Sequence, residues 1–284
     1  MAKINHLSQL DRPEIIDSLF KNIKDSYGTA KESRPAGEAA AEALTAKSPD
    51  GVEIHCRVFR GIPEEPHILF FPAEYDSEAG IIDLAAGLGH FGITLITMDY
   101  RGCWRSGGEP SISALPQDAD AFYQAVKNWY DTEQRTGPVI FMGRSLGSAV
   151  ALDLACRHSD DSLALIMESA FDLTEGFLSS KGIQINELGL SDEDPFSNRS
   201  KMSNYSKAVL FLHSHHDKVI SLNQIEWLVV ESRSKATQLQ IVPCECREDI
   251  AEKAGDLYFA VIKDFLNRRM GRRPRKRRKS KKKL

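Results

Sequence analysis

Val139-Ile140-Phe141-Met142-Gly143-Arg144-Ser145-Leu146-Gly147-Ser148-Ala149 runs from a short apolar segment with β character into an Ala- and Leu-rich segment, 149–158, with helical character. Gly-x-Ser-x-Gly at such a junction predicts a nucleophile elbow, a turn so tight that Ser145 is strained and its hydroxyl stands above the sheet edge. Gly143 and Gly147 supply the room, because a side chain at either position would stand where strand and helix nearly touch. The backbone N–H of Leu146, at the start of the new helix, then points to where an oxyanion would develop. The pentapeptide alone fits many ordinary turns. The strand before it and the helix after it give the reading its specificity.

Outward from the elbow, the chain alternates between two hydrophobic periods. Residues 52–59 alternate as a strand, and 67–71 and 93–98 are continuous apolar strands; 162–167, 208–213 and 238–242 follow in the same style. Between them, 78–91, 114–130, 222–232 and 248–268 read as helices. Strands alternating with helices predict an α/β fold with a mostly parallel sheet covered on both faces, here over 51–267. Between Met167 and Ala208 the pattern loosens into an insertion, 171–207, that suits a small lid. Upstream, Asp11-Arg12-Pro13-Glu14 is a helix start, and Ile15, Ile16, Leu19, Phe20 and Ile23 follow at helical spacing. That makes 1–26 an N-terminal helical extension packed on the main domain. Residues 27–50, rich in Ala, Glu, Lys, Gly and Ser, read as a linker.

With 284 residues, 42% of them hydrophobic, the chain can bury a sizeable core. A net charge of −3 conceals a polarised distribution. Residues 268–284 hold twelve Lys and Arg and no acid, which leaves 37 − 12 = 25 bases against 40 acids elsewhere. This basic segment cannot fold by burial, and it is expected to be a disordered tail that meets nucleic acid or an anionic membrane by counterion release, or folds back on the acidic body. Five cysteines, an odd number, and the lack of a basic-then-apolar N-terminal pattern favour a cytoplasmic setting. Cys244-x-Cys246 has no second pair or neighbouring His to complete a metal site, so neither metal nor cofactor is expected.

Three stretches together carry a resemblance to the α/β-hydrolase superfamily, in its bacterial esterase-like and serine-peptidase-like branch. Asp99-Tyr100-Arg101-Gly102-Cys103-Trp104-Arg105-Ser106-Gly107-Gly108 resembles the family's DYRGxGxSxG loop, and the second stretch is the elbow itself. The third, His213-Ser214-His215-His216-Asp217-Lys218-Val219-Ile220, resembles its acid-bearing segment after a strand. The resemblance spans about 52–266 and implies acyl transfer through Ser, an acid and His. It assigns Ser145 as nucleophile and Asp217 as acid, with oxyanion donors at Leu146 and at Ala73 or Glu74. It does not supply the base.

Where the family's histidine is expected, after the last strand, the chain has Arg247, and no His occurs after His216. Arginine stays protonated and only donates, so it cannot take a proton from Ser145. The oxyanion loop, Phe71-Pro72-Ala73-Glu74-Tyr75-Asp76, adds two acids beside a developing negative charge. His215 and His216 are the alternative bases, poorly placed because they adjoin the acid along the chain. Glu168 is an alternative acid, with a packing or capping role the favoured reading, and Arg247 is expected to pair with Asp217. Three readings stay open: a serine hydrolase with a nonstandard base, a catalytically lapsed member that keeps a pocket for a small ester, amide or acyl ligand, and a binding protein tethered to polyanions by its tail. The sequence does not specify the oligomeric state.

Overall fold

The computed structural model describes residues 6–26, 41–184, 194–244, 246–248 and 250–272. Eight strands form one sheet: β1 (Glu42–Lys47), β2 (Glu53–Phe59), β3 (His67–Phe71), β4 (Thr94–Met98), β5 (Val139–Arg144), β6 (Ala164–Glu168), β7 (Ala208–Ser214) and β8 (Thr237–Val242). Their spatial order is β1-β2-β4-β3-β5-β6-β7-β8. From β4 to β8 every pairing is parallel, and β2 joins β4, and β1 joins β2, antiparallel. The α/β fold expected from the alternating pattern, in the α/β-hydrolase form that the resemblance implies, is the fold observed.

The period of two sorts each strand's side chains onto opposite faces. Leu69, Phe71, Phe141, Leu165, Met167 and Phe211 meet one core. It is covered by α1 (Pro13–Ser26), α3 (Leu115–Thr132) and α4 (Leu146–Arg157). Ile68, Phe70, Ile140, Met142, Ile166 and Leu210 meet the other, under α2 (Glu78–Gly89) and α9 (Asp256–Arg269). Central strands buried on both faces have no polar alternation, which is why they read as continuous apolar runs. The N-terminal helix is part of the first core through Ile15, Leu19, Phe20 and Ile23. Asp11 fixes its approach by accepting hydrogen bonds from the backbone N–H groups of Ile112 (2.6 Å) and Ser113 (3.2 Å).

Several boundaries differ from expectation. Residues 42–47, read as linker, are strand β1 at the sheet edge, while 27–40 lie outside the described residues. Of β1's side chains only Ala46 is buried, so an edge strand held by backbone pairing carries no apolar signal. The last helical segment splits at Gly255, whose φ of +49° ends α8 (Ile250–Ala254) before α9 begins. Arg268 and Arg269 form the last turn of α9, so the segment expected to be disordered from 268 begins as helix; 273–284 lie outside the described residues. Within 171–207, α5 (Thr174–Ser179) and α6 (Asn198–Met202) are described, and 185–193 are not. Between α6 and α8, α7 (Leu222–Glu231) packs against β7.

Candidate functional site

Ser145 adopts φ 49° and ψ −116°, the strained conformation expected for a residue between β5 and α4. The glycines are required sterically. A Cβ on Gly143 would lie 2.0 Å from the Gly147 carbonyl oxygen, and one on Gly147 would lie 2.0 Å from that of Phe71. Ser145 itself is 0% exposed.

Two loops enclose it with opposite charges. Glu74, in the loop between β3 and α2, brings its carboxylate between the hydroxyl and the N-terminus of α4. Ser145 Oγ donates to Glu74 Oε1 (3.1 Å), and the Leu146 N–H donates to Glu74 Oε2 (3.3 Å). The expected oxyanion donor is therefore occupied by a side chain of the same chain. Arg247, in the loop after β8, donates from Nη1 to Ser145 Oγ (2.9 Å) and from Nη2 to Glu74 Oε1 (2.9 Å). Lys181, following α5, places Nζ 2.8 Å from Glu74 Oε1. The guanidinium of Arg247 also lies over the Tyr75 ring, 4.5 Å from its centroid. Burial works to raise the carboxyl pKa of Glu74, but the charges of Arg247 and then Lys181 outweigh it and hold it below the usual glutamate range. Burial likewise works against the charge on Arg247, but Glu74, Tyr75, Glu248 and Asp217 together outweigh it and raise its pKa.

The second expected oxyanion donor, Ala73, is also taken: its N–H donates to Asp76 Oδ2 (2.7 Å). Asp76 in turn belongs to a separate buried cluster. Arg144 bonds Asp76 Oδ1 through Nη1 (2.6 Å) and Glu168 Oε1 through Nε (2.9 Å), and Tyr258 donates to Glu168 Oε2 (2.6 Å). Glu168 is thus committed to Arg144 and Tyr258, the packing role favoured for it over that of an alternative acid. Desolvation raises its carboxyl pKa despite Arg144.

Asp217 sits in the loop after β7, oriented by the N–H groups of Val219 and Ile220, both 2.9 Å from Oδ1. Its Oδ2 is buried without a hydrogen-bond partner among the described residues. In an intact triad that oxygen would receive the N–H of the histidine. The expected Arg247–Asp217 pair is not formed. The guanidinium reaches Glu74 and Ser145 instead, and Asp217 acts on it only as a minor, more distant charge. His215 and His216 are exposed and hydrogen-bonded ring to ring (3.1 Å), and no hydrogen bond connects either to Ser145. Neither ring nitrogen of the buried His213 has a partner among the described residues. Its pKa is lowered by burial.

Sequence reasoning named Ser145, Leu146, Ala73, Glu74, Asp217 and Arg247, and the structure gathers all but Asp217 into one bonded shell or its immediate neighbour. It missed Lys181, which lies in the insertion where no motif marks it. Among the described residues no group of three or more His, Cys, Asp or Glu side chains is arranged to hold a metal ion. No helix among them is long and apolar enough to cross a membrane. An open groove of about 760 Å³ lies between β1 and α3, lined in part by Leu44, Ala46, Ala125 and Trp129. None of the residues that enclose Ser145 lines it.

Residues 70–177 match a family model described as serine aminopeptidase, S33. The α/β-hydrolase domain-containing protein WAV2 of Arabidopsis thaliana is 24% identical over 244 residues, covering 80% of this chain and 79% of that protein. The α/β-hydrolase domain-containing protein 17B of Xenopus laevis is 30% identical over 197 residues, 65% of this chain; the aligned region spans 62% of that relative's length. An esterase from Pyrococcus furiosus superposes with a TM-score of 0.65 at 12% identity, covering 80% of this chain and 90% of the esterase. A soluble variant of monoglyceride lipase from Saccharomyces cerevisiae gives 0.65 at 16% identity, with 85% and 99% covered. Sheet order, strained serine and matched segments agree: the chain has the α/β-hydrolase fold and is similar in sequence to α/β-hydrolase domain-containing proteins.

Proposed function

We propose that this chain is an esterase-like α/β-hydrolase in which acyl hydrolysis at Ser145 is suppressed, the site serving to hold an anion. One observation carries the reading: a single carboxylate, that of Glu74, takes up both the hydroxyl of Ser145 and the N–H of Leu146, and Arg247 clamps it there. Acyl transfer needs the hydroxyl to lose its proton to a base and the carbonyl oxygen to settle on free N–H donors. Arg247 supplies no base. In a subtilisin-type enzyme, loss of the histidine costs on the order of a millionfold in turnover, or roughly 8 kcal/mol of barrier. Loss of one oxyanion donor costs about 10²–10³ more where it has been measured.

Glu74 is the group that a nonstandard mechanism would use as base, since it already accepts the hydroxyl's hydrogen bond. Two cations hold it below its ordinary pKa, which makes it a weak acceptor, and its charge repels the oxyanion that attack would create. Suppressed chemistry therefore fits better than a Ser–Glu dyad. Hydrolysis of p-nitrophenyl acetate tests the proposal. The wild-type chain and Ser145→Ala are expected to turn over the ester at rates within twofold of each other; turnover that disappears with the hydroxyl contradicts the proposal. The double variant Glu74→Gly, Arg247→His is expected to gain Ser145-dependent hydrolysis, because Asp217 Oδ2, without a partner among the described residues, can receive the new imidazole N–H. For the basic segment 268–284, twelve cations without an acid support contact with polyanions, and deletion of that segment should abolish heparin retention.

A further inference from the structure

Four donors from three segments converge on one carboxylate: Lys181 Nζ (2.8 Å), Arg247 Nη2 (2.9 Å), Ser145 Oγ (3.1 Å) and the Leu146 N–H (3.3 Å). Two are cations; Arg247 also meets the exposed Glu248 (3.3 Å), but within the buried shell Glu74 is the carboxylate that faces both. The walls beside those cations are aromatic. The Tyr75 ring centroid lies 4.5 Å from the Arg247 guanidinium, and that of Phe177 lies 5.2 Å from Lys181 Nζ. Charge-assisted bonds on one oxygen and a backbone N–H on the other, beside apolar walls, suit a monocarboxylate with an apolar body.

We propose that this shell is a receptor for a small monocarboxylate, and that the Glu74 side chain is its occupant in the closed state, exchanging with the ligand's carboxylate. The backbone of the Glu74 loop is pinned by Asp76, which accepts from the Ala73 N–H (2.7 Å) and from Arg144 (2.6 Å). Exchange is therefore a rotation of one side chain within a fixed frame. Competition from a tethered carboxylate makes the apparent affinity of the wild-type chain weaker than that of the emptied shell. The inference rests on the reading that Ser145 does not turn over acyl groups, since a hydrolase would need the same N–H for its oxyanion.

The test uses acetate as probe and acetamide as its neutral counterpart, with calorimetric affinity and thermal midpoint as readouts. Acetate is expected to bind Glu74→Ala saturably and raise its midpoint, with acetamide inert. Acetate should bind the wild-type chain at least tenfold more weakly, and adding Arg247→Gln to Glu74→Ala should remove at least tenfold of the affinity. If Glu74→Ala does not fold, Glu74→Gln keeps the shape, loses the anion and carries the same comparison. Equal responses to acetate and acetamide, equal affinity in wild type and variant, or indifference to Arg247→Gln each overturn the proposal. Ser145-dependent hydrolysis of p-nitrophenyl acetate by the wild-type chain overturns instead the reading beneath it, whatever the acetate titrations give.

Discussion

Two buried ion clusters adjoin Ser145, built from the same chemistry in opposite proportion. In one, Arg144 lies between Asp76 and Glu168, and Tyr258 completes the coordination. In the other, Glu74 is held by Arg247 and Lys181. The first joins the ends of β5 and β6, the loop after β3 and helix α9, four pieces of the frame, so its role is to fix the backbone around the elbow. The second joins a hydroxyl and a helix-terminal N–H through one side chain carried on a loop, and it determines what the elbow can react with. Geometry for a nucleophile and chemistry for a nucleophile are therefore separable in this chain. The frame presents Ser145 on a strained elbow, and the loops facing it place Arg247 on its hydroxyl and Glu74 on both that hydroxyl and the Leu146 N–H.

The contrast can be broken most sharply at its two arginines. Arg144→Met leaves two buried carboxylates without their cation and should cost about 3–5 kcal/mol in urea unfolding. Arg247→Met leaves Glu74 bonded to Lys181 and Leu146, and about 1–3 kcal/mol is expected. Equal losses would mean that both clusters are braces. Acid unfolding gives a smaller but more discriminating difference, because the two glutamates titrate in opposite senses. Glu74, held below the usual 4.5, contributes stability that is present above that value and is lost as pH falls through its folded pKa. Glu168, raised by burial, takes up its proton in the folded chain before the unfolded one does, so its contribution improves on acidification. Between pH 7 and 3, Glu74→Gln should flatten the loss of urea midpoint and Glu168→Gln should steepen it. Changes of the same sign in both variants would contradict the assignment.

The frame was far more legible in the sequence than the site. Strands buried on both faces are apolar throughout, and Gly143 and Gly147 have no sterically tolerable substitute, so these segments announce themselves. Strand β1 did not, because its place at the edge needs backbone partners and only one inward side chain. At the site, Arg247 was readable because the resemblance implies a histidine at that place. The partner of Arg247 was not: Asp217 is its expected neighbour by motif, whereas Glu74 wins by reach and by the Tyr75 ring against which the guanidinium stacks. Lys181 follows a short helix of the insertion and meets Glu74 only through tertiary packing, which no spacing along the chain encodes.

The most direct test of the central claim is the rate at which a fluorophosphonate modifies Ser145 in the wild-type chain, followed by intact mass and peptide mapping. The reagent demands an activated hydroxyl and a free oxyanion site together. The account predicts a rate at least a thousandfold below that of an active serine esterase under the same conditions. Stoichiometric adduct at Ser145, formed as fast as in that esterase, would contradict it.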